Sequence, residues 1–347
     1  SLNFLLYLSV INYRYVYLKS DINLINYFYM KKFFYFFSAL LVSAGCSNDD
    51  ECFNESNPKS SNLTSPELFV TELSTNSPYS GILDIYPCVS GTSTYYGNYR
   101  NGQLSPLNPV YTIASGSIQN YIRPLLLPVG TYTLLYWGVA SAGADGTYDY
   151  PASTEPALVL NEDMSSQYYG LRQYSSDTIC YPIYDYVFAV KQVDLGSENI
   201  AVALQRKTAG INVTLKNEDS SSLATSIDSV RVYVGNLAEK VNVYNGNYEN
   251  YTKTVMIPLT ISGTQAVNKT AMVLPSDVPP YFRVEIDLKN GETKKYETHL
   301  SSILSPGTKL SIIMVSNIIF SETTEGSGFE VSDWTETEET ITLPPLS

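Results

Sequence analysis

The chain has 347 residues, a formal net charge of −13 and 30 tyrosines, while Asp, Glu, Lys and Arg together make up only 16%. A pI near 4.6 excludes a nucleic-acid binder and a protein held by charge on anionic lipid. Few charges with many aromatics suit an extracellular β protein whose surface is built from Tyr, Ser, Thr and Asn.

Residues 1–29 begin with Ser1, follow no helical or strand period and carry Arg14, Lys19 and Asp21. They read as upstream sequence translated in frame, or less simply as an extra membrane segment. Residues 30–45 have the layout of a secretory signal peptide. Met30 opens it, Lys31 and Lys32 supply positive charge, residues 33–42 are apolar apart from Tyr35 and Ser38, and Ser43, Ala44 and Gly45 are small. About 20 apolar residues are needed to cross a bilayer as a helix, and this run is shorter. Cys46 follows at once, so residues 43–46 resemble a bacterial lipobox, with Ser43 where Leu, Val or Ile is usual. The resemblance implies a lipoprotein whose Cys46 sulfur carries diacylglycerol, with palmitate-type acyl chains. Ser47, Asn48, Asp49, Asp50 and Glu51 resemble the signal that sends Bacteroidetes lipoproteins to the outer face of the outer membrane.

Residues 46–66 read as a flexible tether, because Ser, Asn and Pro dominate and nothing there could form a core. Beyond Cys46, an odd number of cysteines remains. Cys88 and Cys180 pair if their strands meet, and Cys52 sits in the tether. None lies near another cysteine or the single histidine, His299, so zinc-type spacing is absent.

From residue 67 onward strand signals dominate and helical periodicity is scarce. In the first half, strands are expected over residues 67–73, 81–86, 109–114, 131–137, 156–160 and 186–193, with long loops over 92–101 and 141–154. A boundary falls between residues 205 and 206. In the second half, Ile211, Val213 and Leu215 share one face of a strand. Further strands are expected over 230–234, 241–244, 255–261, 270–274, 309–315, 330–334 and 340–343. Phe282, Val284, Ile286 and Leu288 alternate with Arg283, Glu285, Asp287 and Lys289, and Asn290-Gly291 predicts a type I′ hairpin turn. The pattern predicts an all-β chain of two tandem antiparallel sandwiches, residues 67–205 and 206–347.

Residues 127–133 read LPVGTYT, with Trp137 and Gly138 behind them; residues 204–213 read LQRKTAGINV; residues 331–334 read VSDW. In this order, after a lipoprotein signal, they resemble the fimbrillin superfamily, and most of all its FimB-type membrane-anchor lipoproteins, over about residues 40–347. The resemblance implies transthyretin-like sandwiches and a cell-surface protein that anchors or caps a fimbria in cell adhesion. Its partners would be fimbrial shaft or accessory subunits joined by β-strand complementation, in which one subunit's extended segment completes another's sheet. Shaft subunits of this superfamily lose an N-terminal segment when a protease cuts after an arginine. Here the first arginine after Cys46 is Arg100, so the first strand and the lipid would both be kept, as an anchor needs. The C-terminal segment, residues 339–346, is either an ordinary edge strand or an exchanged one, and Pro344 and Pro345 would stop further pairing.

Enzyme readings are poor. His299 lies on the return arm of a hairpin, where a solvent-facing role is the simpler reading, and no GxSxG, HExxH or phosphate-cradling glycine loop occurs. No cofactor or metal is implied. Tyrosine pairs and clusters define a second function hypothesis: Tyr95, Tyr96 and Tyr99 in one loop, Tyr148 and Tyr150 in another, Tyr168 and Tyr169 in a third. Exposed rings could stack on sugars, as in a surface glycan-binding lipoprotein of a polysaccharide-uptake system; rings packed over loop backbone are the plainer alternative. Thr178 after Asp177, and Ser229 after Asp228, each followed by an apolar residue, resemble the Bacteroidetes O-glycosylation pattern.

Overall fold

Strand alternation is the organising rule. Ile211, Val213 and Leu215 are buried while Asn212, Thr214 and Lys216 between them are partly exposed. The computed structural model describes residues 63–72, 78–142, 146–174, 178–197, 199–316 and 335–343. These form an all-β protein whose one helical element among the described residues is the 3-10 turn Met164–Ser166, capped by the Asp163 carboxylate accepting from Ser165 N.

Seven strands close into a barrel in the order Tyr186–Leu195, Ile200–Arg206, Leu68–Glu72, Ser117–Arg123, Val110–Ala114, Gly81–Val89 and Gly130–Ala140, the last pairing back to the first. A ten-stranded sheet follows, built almost wholly from residues beyond Ala209. Its path runs Thr293–His299, Tyr281–Leu288, Ile227–Leu237, Lys253–Ser262, Gln265–Val267, Ala209–Asn217, Thr308–Ser316, Thr335–Leu343. Ile179–Cys180 and Ala271–Val273 join off this path. Only Lys207 and Thr208 separate the last barrel strand from the first strand of the sheet.

Gly130–Ala140 shows how the two parts are joined. Its middle is buried on both faces, which is why the sequence there is apolar without alternation. Tyr132, Leu134 and Tyr136 fill the barrel core, whereas Leu135 and Trp137 enter the second core. The neighbouring strands do the same: Leu83 and Ile85 against Tyr86 and Cys88, and Val187 against Tyr186 and Phe188. Three barrel strands are therefore a wall shared by two cores.

Among the described residues four strand pairings are parallel, contrary to the antiparallel expectation: Leu68–Glu72 with Ile200–Arg206, Ile179–Cys180 with Lys253–Ser262, and Thr308–Ser316 with both Ala209–Asn217 and Thr335–Leu343. All join strands connected by long stretches of chain, as parallel pairing demands. The hairpin at residue 290 also departs from expectation. Leu288 N bonds to Glu292 O and Gly291 N to Leu288 O, while Gly291 has φ +90° and Asn290 is not among the positive-φ residues. This is a three-residue loop whose glycine takes the left-handed position, not a type I′ turn. Residues 156–160, expected as a strand, form none. The strand Ser117–Arg123 was not expected, and residues 330–334 lie outside the described residues.

Candidate functional site: the seat of the first strand and the terminal edge

The Leu68–Glu72 strand puts Leu68 and Val70 into the barrel core and leaves Phe69 half exposed. Its parallel ladder to the Ile200–Arg206 strand runs from Leu68 opposite Ile200 to Glu72 opposite Leu204. On the other side Phe69 faces Ser117, Val70 N bonds to Gly116 O at 3.0 Å, and Tyr79 N bonds to Val70 O at 3.1 Å.

Glu72 ends this strand on a buried charge cluster. Its carboxylate meets Arg206 Nη1 at 2.5 Å, and Arg206 Nε reaches Asp185 at 3.2 Å. Thr208 Oγ1 donates to Asp185 Oδ1 at 2.9 Å. The three charged side chains are 13%, 8% and 4% exposed for Glu72, Arg206 and Asp185, so none can fall back on water. Burial pushes the Asp185 carboxyl above its ordinary value, against the pull of Arg206 and Thr208. Burial alone would lower Arg206, but the two carboxylates hold it above its usual value. The cluster ties the first strand to Arg206 and Thr208 at the junction between barrel and sheet.

At the other end of the chain, Thr335–Leu343 is the last strand of the ten-stranded sheet, parallel to Thr308–Ser316 over its whole length. Ile341 packs on the second core, and the Glu339 carboxylate accepts from Ser301 N at 3.0 and 2.9 Å and from Ser301 Oγ at 3.0 Å. The opposite edge, Thr293–His299, carries Lys294 and Lys295, a charged border that discourages further pairing.

An aromatic seam fixes the barrel against the rest. Trp137 is fully buried, packs on Tyr169 and Phe188 with ring centroids 4.9 and 4.8 Å apart, and donates from Nε1 to Val243 O at 2.8 Å. The Tyr86 and Tyr169 hydroxyls meet at 2.5 Å, and burial pushes both phenols up.

Cys46 and Ser47, Asn48, Asp49, Asp50 and Glu51 lie outside the described residues, as does Cys52. Cys88 and Cys180 are both buried free thiols, which corrects the expected pairing. The physical reason is their placement: Cys88 sits in a barrel strand and Cys180 beside Lys253–Ser262 in the other sheet. Each thiol points to a carbonyl two residues back, Tyr86 O and Thr178 O, at 3.9 Å. Tyr95 and Tyr99 are also a correction to the sugar-stacking expectation, being 0% and 5% exposed. Tyr95 donates to Pro106 O at 2.9 Å, and Tyr96 stands edge-on to Tyr132 with centroids 5.2 Å apart. Thr178 is exposed, whereas Ser229 is partly buried and its hydroxyl is held by Asp287 Oδ2 at 2.6 Å. His299 is exposed and rests against Tyr281. Among the described residues no cluster of three His, Cys, Asp or Glu could hold a metal, and no helix is long and apolar enough to cross a membrane. Sequence reasoning missed Glu72, Asp185 and Arg206. The one local signal was a charged Arg206-Lys207 pair closing the alternating strand at the predicted boundary.

A family model described as fimbrillin-A associated anchor proteins Mfa1 and Mfa2 matches residues 69–340. The chain belongs to this family of fimbrial anchor proteins. No curated protein matches it. Among solved structures, a candidate cell adhesion protein from Bacteroides uniformis is similar at 17% identity and TM-score 0.45, covering 78% of this chain and 98% of that one. The fimbrial anchor protein Mfa2 from Porphyromonas gingivalis is similar at 13% identity and TM-score 0.42, covering 68% and 83%. A candidate adhesin from Bacteroides ovatus reaches 7% identity and TM-score 0.42, covering 88% and 100%. Membership gives this chain the role of a fimbrial anchor protein.

Proposed function

We propose that this anchor-family chain holds a fimbria on the outer face of the outer membrane through lipid on Cys46, and that it meets the shaft by β-strand complementation. The observation that carries the reading is the seated first strand. Leu68–Glu72 fills its place in the barrel and is tied there by the Glu72–Arg206–Asp185 cluster. The absence of arginine between Cys46 and Arg100 fits a subunit that keeps this strand and its lipid. With the barrel already complete, the shaft is received elsewhere, and the terminal edge at Thr335–Leu343 is the border offered for that purpose, since among the described residues its ladder pairs only with Thr308–Ser316 on one side. Residues 67–205 and 206–347 act in this reading as two β domains, the first closed as a barrel, welded by the aromatic seam.

The test is a pull-down of tagged protein from detergent-solubilised outer membranes of its native host, with mass spectrometry of what accompanies it. Fimbrillin-like subunits in a detergent-resistant ladder, lost when Cys46→Ala releases the protein from the membrane fraction, are expected. Recovery of an outer-membrane transporter without fimbrial subunits, or unchanged membrane retention of Cys46→Ala, refutes the reading.

A further inference from the structure

Four tyrosines outside the barrel form one surface group. The chain at Tyr148 runs beside Thr270, with Tyr148 N bonded to Thr270 O at 2.9 Å. Tyr150 follows two residues later, its ring edge-on to that of Tyr148 with centroids 6.4 Å apart. Tyr174 and Tyr181 lie on a second turn closed by Tyr174 N to Ile179 O at 2.8 Å and Tyr181 N to Arg172 O at 2.9 Å. Their rings are also edge-on, with centroids 4.9 Å apart. In each pair one ring is partly buried and braces the other: Tyr150 is 70% exposed and Tyr174 49%. Ala152 N bonds to Pro182 O at 2.9 Å, so the segment carrying Tyr148 and Tyr150 runs beside the turn that ends at Tyr181.

Beside them lies a small crevice of about 40 Å³ bordered by Thr147, Tyr148, Pro151, Tyr184 and Thr270. The ion pair Asp149–Lys269, at 2.6 Å with both side chains more than half exposed, stands on the rim. Aromatic faces interleaved with hydroxyls and charged hydrogen-bonding groups are not the make-up of a protein-docking core, which is depleted in charge. None of the large exposed aliphatic side chains falls in residues 146–151 or 172–184.

We propose that the Tyr148–Tyr150 and Tyr174–Tyr181 pairs form a binding site for a neutral carbohydrate, with Tyr150 and Tyr174 stacking on sugar faces and the rim groups bonding to hydroxyls. A net charge of −13 and the Asp149 carboxylate on the rim disfavour an acidic glycan. The site is separate from the first-strand seat and does not depend on the anchor reading.

The test uses the full chain, solubilised in detergent, in native gels containing laminarin, yeast mannan or dextran, with dextran sulfate as the acidic comparison, followed by a printed glycan array. Retardation by at least one neutral glycan is expected. Tyr150→Ala and Tyr174→Ala should each weaken it about ten-fold, while Tyr150→Phe keeps it and Tyr121→Ala, an exposed ring on the Ser117–Arg123 strand, leaves it unchanged. Circular dichroism confirms that each variant folds. No binding to any neutral glycan, binding to the acidic polymer alone, or equal retardation with both alanine variants overturns the proposal.

Discussion

Replacing Arg206 by Met tests the seat of the first strand most directly. The side chain sits between Glu72 and Asp185 with 8% exposure, so the variant leaves two carboxylates facing each other without a cation. Breaking a buried ion pair from one side costs ~3–5 kcal/mol. The lower end applies here, because Asp185 keeps its bond from Thr208 and its carboxyl is already pushed toward the neutral form. A loss of ~3 kcal/mol is a large part of a typical ~5–15 kcal/mol stability and corresponds to ~6–12 °C in Tm for a body of this size. Urea denaturation gives the loss, and hydrogen exchange locates it: the Val70 amide, bonded to Gly116 O in the wild type, should exchange faster. Arg206→Lys should recover only part, since an ammonium lacks the fork that reaches both carboxylates. Replacing Glu72, Arg206 and Asp185 together by apolar residues should restore much of the stability. An Arg206→Met protein within ~1 kcal/mol of the wild type, with Val70 protection unchanged, refutes the reasoning.

Other outcomes follow from the same geometry. Gly138→Ala should destabilise by ~1–3 kcal/mol or more, because its new Cβ would lie 2.5 Å from the Tyr79 hydroxyl and 2.9 Å from both Ile82 O and Val187 Cγ2; thermal melting reads the loss. Trp137→Phe should cost ~1–3 kcal/mol by leaving Val243 O buried without its donor, and wild-type stability in urea would count against the seam. Burial pushes the Cys88 thiol up to about 12 and also raises Cys180, so iodoacetamide at pH 8 should modify neither until the protein unfolds; peptide mapping of the native protein decides. The same raised thiol values stabilise the fold below the unfolded value near ~8.5, and that contribution is lost as pH climbs toward about 12. Asp287 runs the opposite way. Hydrogen bonds from Ser229 and Thr293 hold its carboxyl below the usual range, so its stabilisation is present at neutral pH and fades as acid protonates it; Ser229→Ala should raise its titration in an NMR series.

Strand content was legible because alternation leaves a local record. Ile211, Val213 and Leu215 announced their shared face, and the run around Trp137 announced burial. That this run serves two cores was not legible, since burial on both faces looks the same whether one core or two lies behind it. Ser117–Arg123 escaped because its residues are largely exposed and carry no period. The parallel pairings escaped for another reason: nothing within the Leu68–Glu72 sequence names a partner that lies beyond residue 199. The ion cluster shares this difficulty, since Glu72 and Arg206 stand 134 positions apart. The loop tyrosines divided by geometry: Tyr95 and Tyr99 turned inward while Tyr150 and Tyr174 stayed out, and the composition of their loops is alike.

The parallel ladder between Leu68–Glu72 and Ile200–Arg206 bears on how this molecule takes mechanical load. Tension entering from the N-terminal side runs along the axis of the Leu68–Glu72 strand, at right angles to its ladder bonds, so those bonds are sheared together instead of being unzipped one after another. The two-residue pairing of Leu63–Thr64 with Leu127–Pro128 lies outboard of it and would give way first, letting slack out before the barrel feels the pull. Arg206 then acts as a bolt at the far end of the sheared strand, and the load crosses to the second sheet through Lys207 and Thr208 and through the shared wall behind Trp137.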